Sequence, residues 1–263
     1  MNSEILMAEI FGTMLLILLG DGVVAGVLLA KTKANMTTGV GNSNGWIVIT
    51  MAWAFAVFMG VVVAGPFSGA HLNPAVTLGV FANNIFNGAS FDGGLFVTYI
   101  LGEFVGAMLG AFLVFLHYYP HWAETEDQGL KLAVYCTAPA IRNVTWNFVG
   151  EFIGTFVLLF GIFAFGNNVG PTSGGLASLG ALPVALLILV IGLSLGPTTG
   201  YAINPARDLG PRIMHAILPI PGKGGSDWEY SWIPVVGPLC GGLVAAIVYH
   251  YVFVEMVVKA ATK

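Results

Sequence analysis

The sequence predicts an all-α integral membrane protein with six transmembrane helices, two re-entrant half-helices and an inverted internal repeat. Of the 263 residues, 57% are hydrophobic and 8% are charged, and this charged fraction is about a third of that in soluble domains. Long apolar stretches recur along the chain, and the tripeptide Asn-Pro-Ala occurs twice. This composition excludes an ordinary soluble enzyme. The nine Lys and Arg residues leave no basic surface for nucleic acid, which is therefore not an expected partner.

Six apolar stretches are long enough to cross a bilayer, which takes about 20 residues in a helix. The stretches are continuous and about twice as long as the alternating segments of outer-membrane barrels, so helices are favoured over strands. The first stretch carries Glu9 and lacks both a basic flank and a convincing cleavage site, so it is interpreted as a retained span. The six predicted spans are approximately 8–30, 46–65, 95–117, 146–166, 178–196 and 232–256.

Two shorter apolar segments, 74–84 and 205–217, lie between the second and third spans and between the fifth and sixth. Neither segment is long enough to cross the membrane. Each begins with Pro directly after Asn, and this order is typical of a capped helix start. The sequence therefore predicts two half-helices.

The two halves of the chain resemble each other. Asn73-Pro74-Ala75 recurs as Asn204-Pro205-Ala206, and Glu9-Ile10-Phe11-Gly12-Thr13 is similar to Glu151-Phe152-Ile153-Gly154-Thr155. Two copies of three spans each must enter the membrane from opposite faces, so the repeat is predicted to be inverted. We expect one domain over 1–263, with approximate repeats 1–135 and 136–263, in which the half-helix starts meet near the midplane.

The stretches 69–72 and 200–203 precede the half-helices and are predicted to be extended. Non-helical backbone at membrane depth is tolerated where it lines a polar cavity or is buried in protein. We therefore expect a ladder of carbonyl acceptors facing an apolar wall, a passage suited to small, neutral, hydroxylated solutes. The amides of Asn73 and Asn204 would donate hydrogen bonds to the solute. The positive potential at the half-helix starts would repel cations and protons. The ladder comprises Gly69, Ala70, His71, Leu72, Gly200, Tyr201, Ala202 and Ile203.

Charged residues inside the predicted membrane segments are candidates for function, because an intramembrane Arg costs about 2.5–3.5 kcal/mol on insertion scales. Two interpretations of Arg207 remain open: a hydrogen-bond donor and cation barrier in the passage, or a buried ion pair with Asp208. Asp21 and Glu103 are functional candidates that could equally face a subunit interface or a lipid headgroup. No spacing of Cys and His indicates a metal site, and no cofactor is expected.

Paired Asn-Pro-Ala motifs in a duplicated six-span chain resemble the major intrinsic protein family, the aquaporins and glycerol facilitators, over essentially the whole sequence. The pair Arg207-Asp208 is similar to the second motif of the glycerol-conducting branch. The resemblance implies a selectivity filter of Trp53, Gly192, Tyr201 and Arg207. Strict water channels have His in place of Gly192, and glycerol facilitators have Phe in place of Tyr201.

The same resemblance implies that Glu9, Glu151 and Asp208 support the half-helix loops. It implies a passive channel, without enzymatic activity, that conducts glycerol and other small neutral solutes with water and excludes protons and ions. A water-selective aquaporin and an ion-coupled secondary transporter are the alternatives, because broken helices and inverted repeats also build transporters.

The resemblance further implies a homotetramer in the plasma membrane with both termini cytoplasmic. The positive charges of the loops favour the opposite orientation, because basic loops usually face the cytoplasm. These charges belong to Lys31, Lys33, Lys131, Arg142 and Lys223.

Overall fold

The computed structural model describes residues 2–38, 44–167 and 179–254, which fold into helices connected by loops and turns. Five helices of the described part are long and apolar enough to cross a membrane, and they confirm the first, second, third, fourth and sixth predicted spans. They are α1 (Ser3–Leu28), α3 (Asn44–Ser68), α5 (Gly93–His117), α8 (Val144–Asn167) and α11 (Ile233–Val248), the last continuing as a π-helix over Tyr249–Val254.

The fifth predicted span, 178–196, contains the shorter helix α9 (Leu182–Ser194), which has 13 residues. Its predicted first residue lies outside the described part. A 3₁₀ turn over Gly196–Thr198 follows α9. Pro197 has no backbone N–H to donate to the carbonyl of Leu193, so the α-helical hydrogen-bond pattern does not continue through it. The described helix is thus shorter than the roughly 20 residues of a full span.

The half-helices are α4 (Pro74–Phe86) and α10 (Pro205–Ile217), each with 13 residues. Both begin at the predicted proline, and α4 extends two residues beyond its predicted end. The remaining helices of the described part are short and lie in connections: α2 (Lys33–Thr38), α6 (Tyr119–Glu124) and α7 (Gln128–Tyr135).

Glycines allow the long helices to pack backbone against backbone. A Cβ on Gly106 of α5 would overlap the carbonyl oxygen of Ile10 on α1, and a Cβ on Gly241 of α11 would overlap that of Phe152 on α8. These contacts are of the small-residue type that brings membrane helices together. They lie within the chain and join the first to the third span of each half.

The half-helices pack reciprocally. Helix α4 contacts α11, the last span of the second half, and α10 contacts α5, the last span of the first half. Helices α3 and α9 contact each other across the same centre. This exchange agrees with an inverted repeat, and the repeat boundaries near residue 135 stay a prediction.

Loop cations contact the folded chain. Lys31 donates a hydrogen bond to Glu124, which lowers the pKa of that carboxyl below its usual value. Lys223 Nζ donates to the carbonyls of His215 at 2.5 Å and Ala216 at 2.6 Å. A cation is favoured there because these carbonyls form the negative end of α10. These two cations therefore stabilise the loop structure on their side of the protein.

Candidate functional site

Asparagine side chains cap both half-helices. Asn73 accepts a hydrogen bond from the backbone N–H of Ala75 at 2.9 Å, and Asn204 accepts one from Ala206 at 3.0 Å. A second bond, from the N–H of Arg207 at 3.2 Å, also reaches Asn204. These bonds satisfy N–H groups that a helix start leaves without partners.

The same two asparagines connect the half-helices to each other. Asn73 Nδ2 donates to the carbonyl of Ile203 at 2.8 Å, and Asn204 Nδ2 donates to the carbonyl of Leu72 at 2.8 Å. The two starts therefore meet, as their sequences predict. A carboxamide has two N–H bonds, so one on each asparagine is left for another acceptor. The carbonyls of Leu72 and Ile203 hold the starts together in addition to any contact with a solute.

The loops before the half-helices are not simply extended. Ala70 and Leu72 each have φ of 55°, and Tyr201 and Ile203 have φ of 39° and 43°. A left-handed conformation at a residue other than glycine costs about 1–3 kcal/mol and persists where surrounding contacts impose it. The expectation of an extended backbone at 69–72 and 200–203 is therefore wrong at these residues.

Two buried glutamates, Glu9 on α1 and Glu151 on α8, supply such contacts. Each carboxylate accepts two backbone N–H groups of one loop, which would otherwise be buried without partners. The bonds run from His71 and Leu72 to Glu9 at 3.0 and 2.7 Å, and from Ala202 and Ile203 to Glu151 at 3.0 and 2.8 Å. The contacts are those that a loop-supporting role requires.

A cavity of about 230 Å³ lies along these loops. Residues 69–72 and 201–203 of the loops line it, together with Asn73 and Asn204. Trp53 and Arg207 also line it, whereas Gly192 and Gly200 do not. The lining also contains apolar side chains, including Leu16, Val57, Val61, Val76, Leu158 and Ile188. The lining therefore combines polar and apolar residues, and a polar side that faces an apolar wall stays a prediction.

Arg207 lies on the cavity wall with its guanidinium held on two sides. Nη1 donates to the carbonyl of Tyr135 at 3.3 Å and to Asp21 Oδ1 at 3.4 Å. The Cζ atom lies 4.0 Å from the ring centroid of Trp53, which is a cation–π distance. The alternative interpretation, an ion pair with Asp208, is wrong, because the carboxylate beside Arg207 belongs to Asp21.

Asp208 instead pairs with Arg212 one helical turn later. Its carboxylate accepts from Arg212 Nε at 2.9 Å and from the N–H and hydroxyl of Thr137 at 2.8 and 2.7 Å. Arg212 also donates to the carbonyl of Ser226 at 2.8 Å. Asp208 and Arg212 are both fully buried. Through Thr137 and Ser226, the pair connects α10 to the chain segments before α8 and before α11.

The ring of Tyr201 occupies the space beside Gly192. A Cβ on Gly192 would lie 2.9 Å from this ring and 3.0 Å from the side chain of Thr50. Trp46 donates its indole N–H to the carbonyl of Gly192 at 3.1 Å and meets the Tyr201 ring edge-on, with centroids 5.9 Å apart. The space that the absent side chain of Gly192 leaves is therefore filled by the Tyr201 ring and is not part of an open passage. The filter role of Gly192 stays a prediction.

The first half-helix has a polar network of its own. Thr77 donates to Glu103 Oε1 at 2.5 Å, and His71 Nδ1 lies 2.9 Å from the Thr77 hydroxyl. The His71 ring stacks on Tyr99 with centroids 4.0 Å apart. Glu103 is therefore directed toward α4 and not toward lipid.

Sequence reasoning did not assign a role to Asp21 or Trp46. Asp21 gave a signal, because it is an acid within the first span. Its partner Arg207 is 186 residues away, and no local pattern connects the two. Trp46 gave no signal beyond its place at the start of the second span.

Comparisons with known proteins identify the family of the chain and its fold. The family model described as Major intrinsic protein matches residues 2–249. A probable glycerol uptake facilitator protein of Thermotoga maritima is 51% identical over 250 residues, covering 95% of this chain and 100% of the relative. The glycerol uptake facilitator protein of Streptococcus pneumoniae R6 is 52% identical over 93% of this chain and 97% of the relative. The solved aquaglyceroporin from Plasmodium falciparum has a TM-score of 0.81 at 29% identity, covering 98% of this chain and 99% of that structure.

Proposed function

The chain belongs to the major intrinsic protein family, and from this premise we propose that it is a passive transmembrane channel for glycerol and other small neutral solutes. Proteins named glycerol uptake facilitators are about half identical to it over more than nine-tenths of its length. The channel carries out no covalent chemistry and is not an enzyme.

The proposal rests on the cavity, whose lining combines loop residues with apolar side chains. A polyol has a carbon backbone on one side and hydroxyl groups on the other. Loop carbonyls and the amides of Asn73 and Asn204 would bind the hydroxyls, while Val57, Val61 and their neighbours contact carbon. Because the apolar part of the lining offers no ligands, the cavity would replace only part of the hydration shell of an ion.

Arg207, Trp53 and Tyr201 would form the narrow part of the passage. No hydrogen bond within the described residues uses Nε or Nη2 of Arg207, so these donors remain for a solute hydroxyl. Trp53 and the Tyr201 ring supply the apolar corner. The positive starts of α4 and α10 oppose the entry of cations and protons.

We further propose that water accompanies the solute, that the channel is a homotetramer and that it lies in the plasma membrane with both termini in the cytoplasm. The family membership supports this orientation. The positive loops argue against it, but at least Lys31 and Lys223 have structural partners on their own side of the protein.

The test is stopped-flow light scattering on liposomes that contain the purified protein. Inward gradients of glycerol and of impermeant sucrose are compared, with Val57→Trp to fill the cavity and Val62→Trp as the matched control on the exposed face of α3. We expect rapid reswelling in glycerol for the unchanged protein and for Val62→Trp. Val57→Trp should slow it at least about tenfold, the effect of ~1.4 kcal/mol on the barrier.

Rapid shrinkage in sucrose without reswelling in glycerol would contradict the proposal and indicate a water-selective pore. Glycerol uptake that saturates and follows an imposed proton or sodium gradient would indicate a secondary transporter. Equal slowing by both tryptophan variants would show that the cavity is not the solute path.

A further inference from the structure

Asp21 is a fully buried carboxylate on α1 that the family comparison does not explain. It follows Gly20, where a Cβ would overlap the ring of Trp53. The missing side chain therefore lets Trp53 lie directly against α1. Since the Arg207 guanidinium lies over this ring, the same close packing brings Asp21 Oδ1 within 3.4 Å of Nη1 of Arg207, which lines the cavity.

Three contacts fix the guanidinium of Arg207. Asp21 Oδ1 and the carbonyl of Tyr135 accept from Nη1, and the Trp53 ring covers one face. Nη1 of Arg207 is thus hydrogen-bonded to acceptors of the protein. The edge formed by Nε and Nη2, which has no partner within the described residues, is left for the solute. Of these contacts, only Asp21 provides a full negative charge.

The other charges nearby do not replace Asp21. Asp208 is paired with Arg212 at 2.8 Å and forms a neutral unit with it. The half-helix starts add positive potential to that of Arg207. Without Asp21, the narrow part of the passage would carry an unpaired guanidinium beside two positive helix ends, an arrangement that attracts and binds anions.

We propose that Asp21 is a positioning residue for Arg207 and a determinant of charge selectivity: it orients the guanidinium and offsets its charge, so that the passage does not conduct small anions. This inference rests on the proposed channel function. Oδ2 of Asp21 is buried and has no hydrogen-bond partner within the described part of the chain. A buried carboxylate oxygen without a partner is destabilising. The carboxylate is therefore a cost to stability that a role in selectivity would explain.

The experiment compares nitrate and glycerol permeability of proteoliposomes, with valinomycin and potassium present to balance the nitrate charge. Asp21→Asn keeps the size and one oxygen acceptor but removes the charge. We expect the ratio of nitrate to glycerol permeability to rise about tenfold, equivalent to ~1.4 kcal/mol in relative barrier height. Glu124→Gln removes an exposed carboxylate that does not line the cavity and serves as the control, for which the ratio should not change.

An unchanged or lower ratio for Asp21→Asn overturns the inference. The unchanged protein is measured in parallel, and its failure to conduct glycerol would count against the channel function rather than against Asp21. If Asp21→Asn does not reach the membrane, the double variant Asp21→Asn/Arg207→Gln decides, because it leaves no unpaired charge. Recovery of folding in the double variant supports the link to Arg207, and failure of both overturns it.

Discussion

The two half-helix starts have the same backbone arrangement and different side chains. Each has an asparagine cap that donates to the opposite loop at 2.8 Å, and each loop gives two N–H groups to a buried glutamate. Left-handed residues occur at matched places, Ala70 with Tyr201 and Leu72 with Ile203. The same kinds of contact therefore hold both loops.

Five matched positions differ between 69–77 and 200–208, and three of them place a larger or charged side chain on the second side. Ala70 corresponds to Tyr201, Val76 to Arg207 and Thr77 to Asp208. The first site therefore has small or neutral groups where the second has an aromatic ring, a cation and an anion. The shared contacts hold the two loops together, whereas the side chains of these loops that we propose to select solutes, Tyr201 and Arg207, lie on the second side.

The largest effect is expected at the third matched pair. Asp208→Asn leaves Arg212 buried without its counter-charge and should cost about 3–5 kcal/mol of unfolding free energy. Thr77→Val removes a hydroxyl between Glu103 and His71 and should cost about 1–3 kcal/mol. The measurement is an SDS titration of the detergent-solubilised protein, followed by tryptophan fluorescence. Equal losses of unfolding free energy in the two variants would show that the charge pair at Asp208 contributes no more to stability than the Thr77 hydroxyl.

An intermediate and symmetric effect is expected from the glutamates. Glu9→Gln and Glu151→Gln each replace an acceptor oxygen by an NH₂ group that faces a backbone N–H, so each should lose about 1–3 kcal/mol. The same titration measures both variants, with Glu126→Gln on the exposed surface as the control. If only one of the two variants loses unfolding free energy, the two glutamates do not support their loops equally.

The smallest effect is expected at Tyr201. Its hydroxyl is buried and has no hydrogen-bond partner among the described residues, so the ring alone fills the space beside Gly192. Tyr201→Phe should change glycerol permeability by less than about twofold, which is ~0.4 kcal/mol in the barrier. Stopped-flow reswelling checks this. A fall of tenfold or more would mean that the hydroxyl contacts the solute, and the difference from Ala70 would then include a polar contact.

The prediction of the half-helices from sequence succeeded for a local reason. An asparagine cap followed by proline acts within one helical turn, so α4 and α10 begin at the predicted residues. The predicted end of the fifth span, at residue 196, lies two residues beyond α9 and within the following 3₁₀ turn, whereas its predicted start at residue 178 lies outside the described part. The left-handed loop residues were also missed, because non-glycine residues give no sign of such a conformation.

The sequence by itself determined the class of the molecule, the half-helix starts and the candidate pore residues, since hydropathy, caps and repeated motifs are encoded over short distances. Only the tertiary structure decided which charges pair. Arg207 is next to Asp208 in the chain, yet it contacts Asp21, 186 residues away, while Asp208 binds Arg212. Adjacent residues on a helix point about 100° apart, so neighbours in sequence separate and the packing of α1 against α3 supplies the partner.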